Sequence, residues 1–94
     1  MNNIFLNQRT PEEINKEIAN RLRELRKRKK LSQEKLCIKS GVSLGSIKRF
    51  ETKGDISLKS LTKIAIALEV EEELIGIFSK GPIESIEEII DGHK

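Results

Sequence analysis

Tryptophan and tyrosine are absent from these 94 residues, and phenylalanine occurs only as Phe5, Phe50 and Phe78. So few rings give no wide aromatic platform on which unpaired bases could stack. The one cysteine, Cys37, has no partner for an intramolecular disulfide, and a reducing, cytoplasmic setting is expected. The one histidine, His93, stands one residue from the end of the sequence. A His/Cys metal cluster and a Ser/His or Cys/His catalytic pair therefore lack their residues, so no metal, no cofactor and no enzymatic activity are expected. No apolar run reaches the length of a signal-peptide core or a membrane span, and no membrane partner is expected. The length fits one small domain with a tail and excludes a two-domain enzyme.

Charge, by contrast, is abundant. Charged residues make up 35% and hydrophobic residues 36%, against a usual charged share of roughly 25%, so the core is thin and the surface heavily charged. The net charge of +3 hides an uneven distribution. Residues 1–53 hold 14 Lys+Arg and 6 Asp+Glu, a net of +8, whereas residues 54–94 hold 4 and 9, a net of −5. Such asymmetry suits one face that meets a polyanion and another that meets something else; a merely solvated surface is the plainer alternative.

Along the chain, residues 1–10 form an expected loose arm. Thr10-Pro11-Glu12-Glu13 reads as a helix start, with Thr10 as N-cap, Pro11 where its missing N–H is harmless, and Glu13 closing a capping box. Ile14, Ile18, Leu22 and Leu25 then recur at helical spacing and predict a buried stripe. Ser32 caps a short helix over Gln33–Ser40, with Leu36 and Cys37 inward and Gly41 ending it. Ser43 caps the next, from Leu44 to Thr52. Two short helices joined by a tight glycine-containing turn have helix-turn-helix spacing. Ser57 opens a fourth helix with Leu58, Leu61, Ile64, Ala65 and Leu68 on one stripe. Glu71, Glu72 and Glu73 load the first turn of a fifth, where negative charge suits the helix dipole; Leu74, Ile75, Ile77 and Phe78 are its apolar residues. Ser79-Lys80-Gly81-Pro82 breaks the chain before an acidic, Ile-rich tail. The expected organisation is an arm over 1–10, an all-α domain over 11–79 and a tail over 80–94.

The third helix concentrates the chemistry. At 100° per residue, Leu44, Gly45, Lys48, Arg49 and Thr52 fall within a ~140° arc, while Ser43, Ile47 and Phe50 lie opposite. One face is apolar and the other basic or small. A helix of that kind can bury Ile47 and Phe50 and enter a major groove with the rest; an ordinary surface helix is the alternative.

The run Leu31-Ser32-Gln33, Leu36-Cys37, Gly41-Val42-Ser43, Ile47 and Phe50-Glu51, followed by Ser57-Leu58 to Leu68-Glu69-Val70, resembles the Cro and phage-repressor (XRE) type of helix-turn-helix domain over roughly Ile14 to Phe78. That resemblance implies a five-helix, lambda-repressor-like fold and a double-stranded DNA partner. The DNA-contacting set it implies is Gln33, Ser43, Leu44, Gly45, Ser46, Lys48, Arg49 and Lys53, with Lys35 as a further candidate. It also implies an ion pair between Arg26 and Glu51. Arg26 is therefore structural, although it stands among seven basic residues between Arg21 and Lys30. Cys37 stands where relatives commonly have Ala and reads as core filling.

Roles within the set follow from chemistry. Arg49 matches the two acceptors of guanine. Leu44 offers an apolar contact, such as a thymine methyl, and Gly45 either permits close approach or reads nothing. Relatives often carry polar side chains at these two positions. Gln33 and Ser43 sit at helix starts, where exposed N–H groups favour phosphate, and Lys48 and Lys53 add charge to backbone contacts.

The fifth helix is the candidate homodimer contact. The stretch Ser46 to Glu51, Ile56-Ser57-Leu58 and the acidic tail resemble antitoxin regulators that partner HipA-type toxin kinases. That resemblance implies a repressor of its own operon that also binds a kinase. The remaining readings are a free-standing regulator, and an interaction module that has lost DNA readout.

Overall fold

The computed structural model describes residues 9–79, so most of the expected arm and the whole 80–94 tail lie outside the described residues. The described chain is all-α, with five helices and no strand: α1 (Pro11–Arg28), α2 (Gln33–Ser40), α3 (Leu44–Lys53), α4 (Leu58–Ala67) and α5 (Glu71–Ile75). The fold is the lambda-repressor-like one that the resemblance implied.

Hydroxyl caps begin four of the five helices. Side-chain oxygens of Thr10, Ser32, Ser43 and Ser57 accept from the N–H groups of Glu13, Lys35, Ser46 and Ser60 at 3.1, 3.0, 3.1 and 3.0 Å. Each satisfies a donor that the helix itself cannot. At Thr10 the box is complete, since its N–H donates to Glu13 Oε1 at 2.8 Å. Only α5 lacks a side-chain cap.

The ends of α1 to α4 divide into two kinds. Gly41 (φ 77°) and Gly54 (φ 80°) close α2 and α3 in the left-handed region. α1 and α4 end in the same region without glycine, on Lys30 (φ 61°) and Glu69 (φ 64°). Behind them Leu31 and Val70 donate back to Arg26 O and Ala65 O at 3.1 and 2.9 Å. That double-bonded ending satisfies carbonyls the helix leaves open.

Packing runs α1 on α3, α2 on α3 and α4, and α4 on α5. Ala19, Leu36, Val42, Ile47, Phe50, Ile64, Ala67 and Leu68 form the core, with Leu22, Leu25, Leu31 and the half-buried Cys37 against it.

Three expectations need correction. Ile14 and Ile18 remain 44% and 43% exposed, while Ala19 is buried. Leu22 and Leu25 pack against the core as expected, but in the first half of α1 the inward face is offset by one residue, to the backbone at Asn15 and to Ala19, and Arg26 is buried beside Leu25 in the sequence. Small Ala19 lets α3 come close, and Arg26 can face inward because Glu51 meets it. Leu58, expected on the inner stripe of α4, is 68% exposed at the first helical position. Finally, α3 runs one residue further than expected, and α5 stops at Ile75. Phe78 adopts φ 62° and stands 93% exposed, beyond the helix rather than on it.

Candidate nucleic-acid interface

The interface is built on the short turn between α2 and α3. Gly41 takes a left-handed conformation and its N–H bonds to Cys37 O at 2.9 Å, which ends α2. Val42, 4% exposed, inserts into the core, and its N–H bonds to Ser40 Oγ at 3.1 Å. Ser43 then caps α3 and its hydroxyl meets Ser46 Oγ at 2.8 Å. Backbone conformation, one buried anchor and three serines thus fix how α3 leaves the turn.

The roll of α3 is set by Ile47 and Phe50, 0% and 3% exposed. The opposite side carries exposed Gly45, Ser46, Lys48, Arg49, Thr52 and Lys53, and half-buried Leu44 at its edge. Thr52 spends its hydroxyl proton on Lys48 O at 2.8 Å, so it is tied to its own helix. Gly45 has ordinary helical backbone and nothing within 4 Å of where a Cβ would stand. Packing within the protein therefore does not require glycine there.

Behind α3 lies a polar clamp. Arg26 donates from Nε to Glu51 Oε2 at 2.7 Å, from Nη2 to Glu51 Oε1 at 3.0 Å and from Nη1 to Leu31 O at 2.6 Å. Both side chains of the pair are nearly buried, at 8% and 5% exposure. The paired geometry supplies what a buried charge requires, a counter-charge and hydrogen bonds to its remaining donors. Gln33 joins by donating from Nε2 to Glu51 Oε1 at 2.8 Å. α1, the turn after it, α2 and α3 are thereby held at one point. Gln33, assigned to phosphate by resemblance, is thus drawn into this clamp, with one Nε2 hydrogen left over.

Of the other basic residues of α1, Arg21 pairs with Glu17 at 2.6 Å and Arg23 lies 3.9 Å from both Glu24 and Glu51, whereas Lys16, Lys27 and Arg28 form no ion pair among the described residues. Lys29, the C-cap, reaches Glu69 at 3.6 Å. Glu17 also meets Arg9. Lys48 and Lys53 form no ion pair among the described residues, so their charge is available on the α3 side.

Gly54 and Asp55, which the sequence offers only as the break Lys53-Gly54-Asp55 after the third helix, matter here. Asp55 Oδ2 accepts from Arg49 Nη2 at 3.1 Å, with both side chains largely exposed. A spacing of six suggests no helical contact; the pair forms because Gly54 turns the chain back. Gly54 is also the point where α3 meets α1, since a Cβ there would lie 2.9 Å from Asn15 C and 3.0 Å from Lys16 N. The sequence signals a helix end at this glycine and nothing of the contact across to α1.

A family model described as helix-turn-helix matches residues 22–75, which takes in the end of α1, all of α2 to α5 and every residue of the clamp. Comparison with curated proteins and with solved structures gave no significant match. No helix among the described residues is long and apolar enough to cross a membrane.

Proposed function

The chain belongs to the helix-turn-helix family of DNA-binding transcription regulators, and from that premise we propose that it reads a specific double-stranded operator by inserting α3 into the major groove. One observation carries this reading. A helix rigidly seated by Ile47, Phe50 and Glu51 turns Gly45, Lys48, Arg49 and Lys53 to solvent on its other side. A major groove admits such a helix. Arg49 is the base reader, Leu44 the apolar contact at the groove floor, and Gly45 the position of closest approach. Ser43, Ser46, Lys48, Lys53 and the second amide hydrogen of Gln33 hold phosphate.

The protein acts as a dimer and a repressor in this reading. Dimers of such domains meet two half-sites about one helical turn apart. Exposed Ile75, Ile77 and Phe78, at 71%, 49% and 93%, supply an apolar surface of the right kind beside α5. The same exposed end favours a second reading, an antitoxin regulator that also binds a HipA-type kinase. A kinase gene beside this one in the operon supports that reading, and its absence favours the free-standing regulator.

The experiment is selection of duplexes from a random pool, followed by mobility shift at two salt concentrations. Enrichment of a two-fold symmetric site establishes sequence-specific, dimeric binding. Equal retention of all duplexes identifies an interaction module without readout.

A further inference from the structure

Asp55 is an exposed carboxylate paired with Arg49 of α3. It follows the left-handed turn at Gly54 and accepts from Arg49 Nη2 at 3.1 Å. It lies two residues after Lys53 and two ahead of Ser57, the N-cap of α4. With Arg49, Ser46 and the first turn of α4 it borders a shallow recess of about 320 Å³. A bare carboxylate facing a polyanion opposes binding. One that occupies a single donor of an arginine has another consequence. The guanidinium has five N–H donors in a fixed plane, and the contact to Asp55 uses one edge of it. Another edge stays available for the paired acceptors of a guanine. A long side chain that would otherwise sample the nearest phosphates is thereby held away from them.

We propose that Asp55 is a specificity-determining residue that acts through Arg49: it positions the guanidinium for a base edge and withholds it from phosphate. The proposal rests on the reading of α3 as the DNA-inserting helix. It assigns to Asp55 a negative contribution to overall affinity and a positive one to discrimination, a combination that general repulsion does not produce.

The test uses the full chain, the duplex obtained by selection and a random duplex of equal length. Dissociation constants are measured over a range of salt for the unsubstituted protein, Asp55→Asn, Arg49→Ala and the double variant. Both side chains are exposed, at 62% and 56%, and circular dichroism checks that the fold is kept. Asp55→Asn is expected to tighten binding to random DNA and steepen its salt slope by about 0.9, the signature of one further phosphate contact. It is expected to lower the ratio of specific to random affinity about two- to fivefold, the range of an exposed ion pair. In the Arg49→Ala background the same change should leave that ratio unmoved. A shift in ratio by the same factor with and without Arg49, or no shift at all, overturns the proposal. If Arg49→Ala lowers the ratio while Asp55→Asn does not, only the positioning role falls. If Arg49→Ala itself leaves the ratio unchanged, base reading by Arg49 falls together with it.

Discussion

The two ends of this molecule are secured differently. Around α2 and α3, Ser32 and Ser43 cap the helix starts, Gly41 and Gly54 close the helix ends, and Arg26, Glu51 and Gln33 lock three helices together. Around α5 there is no side-chain cap, the helix is five residues long, and Ile75, Ile77 and Phe78 stand in solvent. The first end is built to hold one geometry, which a surface that reads base edges requires. The second leaves apolar area uncovered, as a surface that meets protein does. The split of +8 and −5 along the sequence follows the same division.

Substitutions that attack the clamp should have the largest effect. Glu51→Ala leaves the Arg26 charge buried and uncompensated, so a loss of ~3–5 kcal/mol is expected, a large part of the ~5–15 kcal/mol that holds a small domain. Urea denaturation measures it. A loss below about 1 kcal/mol, as an exposed pair would give, would show that the DNA-facing half is not held by this pair.

The two glycine caps sharpen the comparison next. Gly41→Ala meets empty space and should lose only the ~1–2 kcal/mol of a left-handed alanine. Gly54→Ala incurs that strain and also places a methyl 2.9 Å from the Asn15 backbone. Thermal melting should therefore rank Gly54→Ala clearly below Gly41→Ala, and equal melting temperatures would contradict a close α1–α3 approach at Gly54. Gly45→Ala should have the opposite sign, gaining ~0.5–1 kcal/mol of stability in an open helical position. If Gly45 is the point of nearest approach to the groove, the same variant binds DNA more weakly despite being more stable; unweakened binding would argue that the glycine serves nothing there.

At the other end, Phe78→Ser should change stability by less than ~0.5 kcal/mol, because the side chain is already in solvent. It should nevertheless weaken self-association in sedimentation. A variant that dimerises as well as the parent would detach the exposed apolar end from the dimer.

Much of this architecture is legible in the sequence, and what is not has physical causes. The hydroxyl residues ahead of α1 to α4 announce those helices, because a cap is a local interaction between residues three apart. The ends of α1 and α4 at Lys30 and Glu69 carry no glycine, and their left-handed turns follow from packing of the residues behind them. The burial of Arg26 in α1 is likewise tertiary: it depends on a carboxylate 25 residues away, which α1 by itself cannot reveal. The resemblance named that pair, whereas hydrophobic periodicity pointed to Leu22 and Leu25, which do pack, and to Ile14 and Ile18, which do not. The contact of Arg49 with Asp55 was invisible for a similar reason, since its spacing belongs to no regular element.

Whether the outer face of α3 distinguishes one base pair from another is measured most directly by comparing Arg49→Ala with Lys53→Ala on the selected and random duplexes. Arg49→Ala should lose ~1–3 kcal/mol of discrimination. Lys53→Ala should weaken both duplexes alike and reduce the salt slope by about one. Equal losses on both duplexes for Arg49→Ala would contradict a base-reading helix and leave α3 as a purely electrostatic contact.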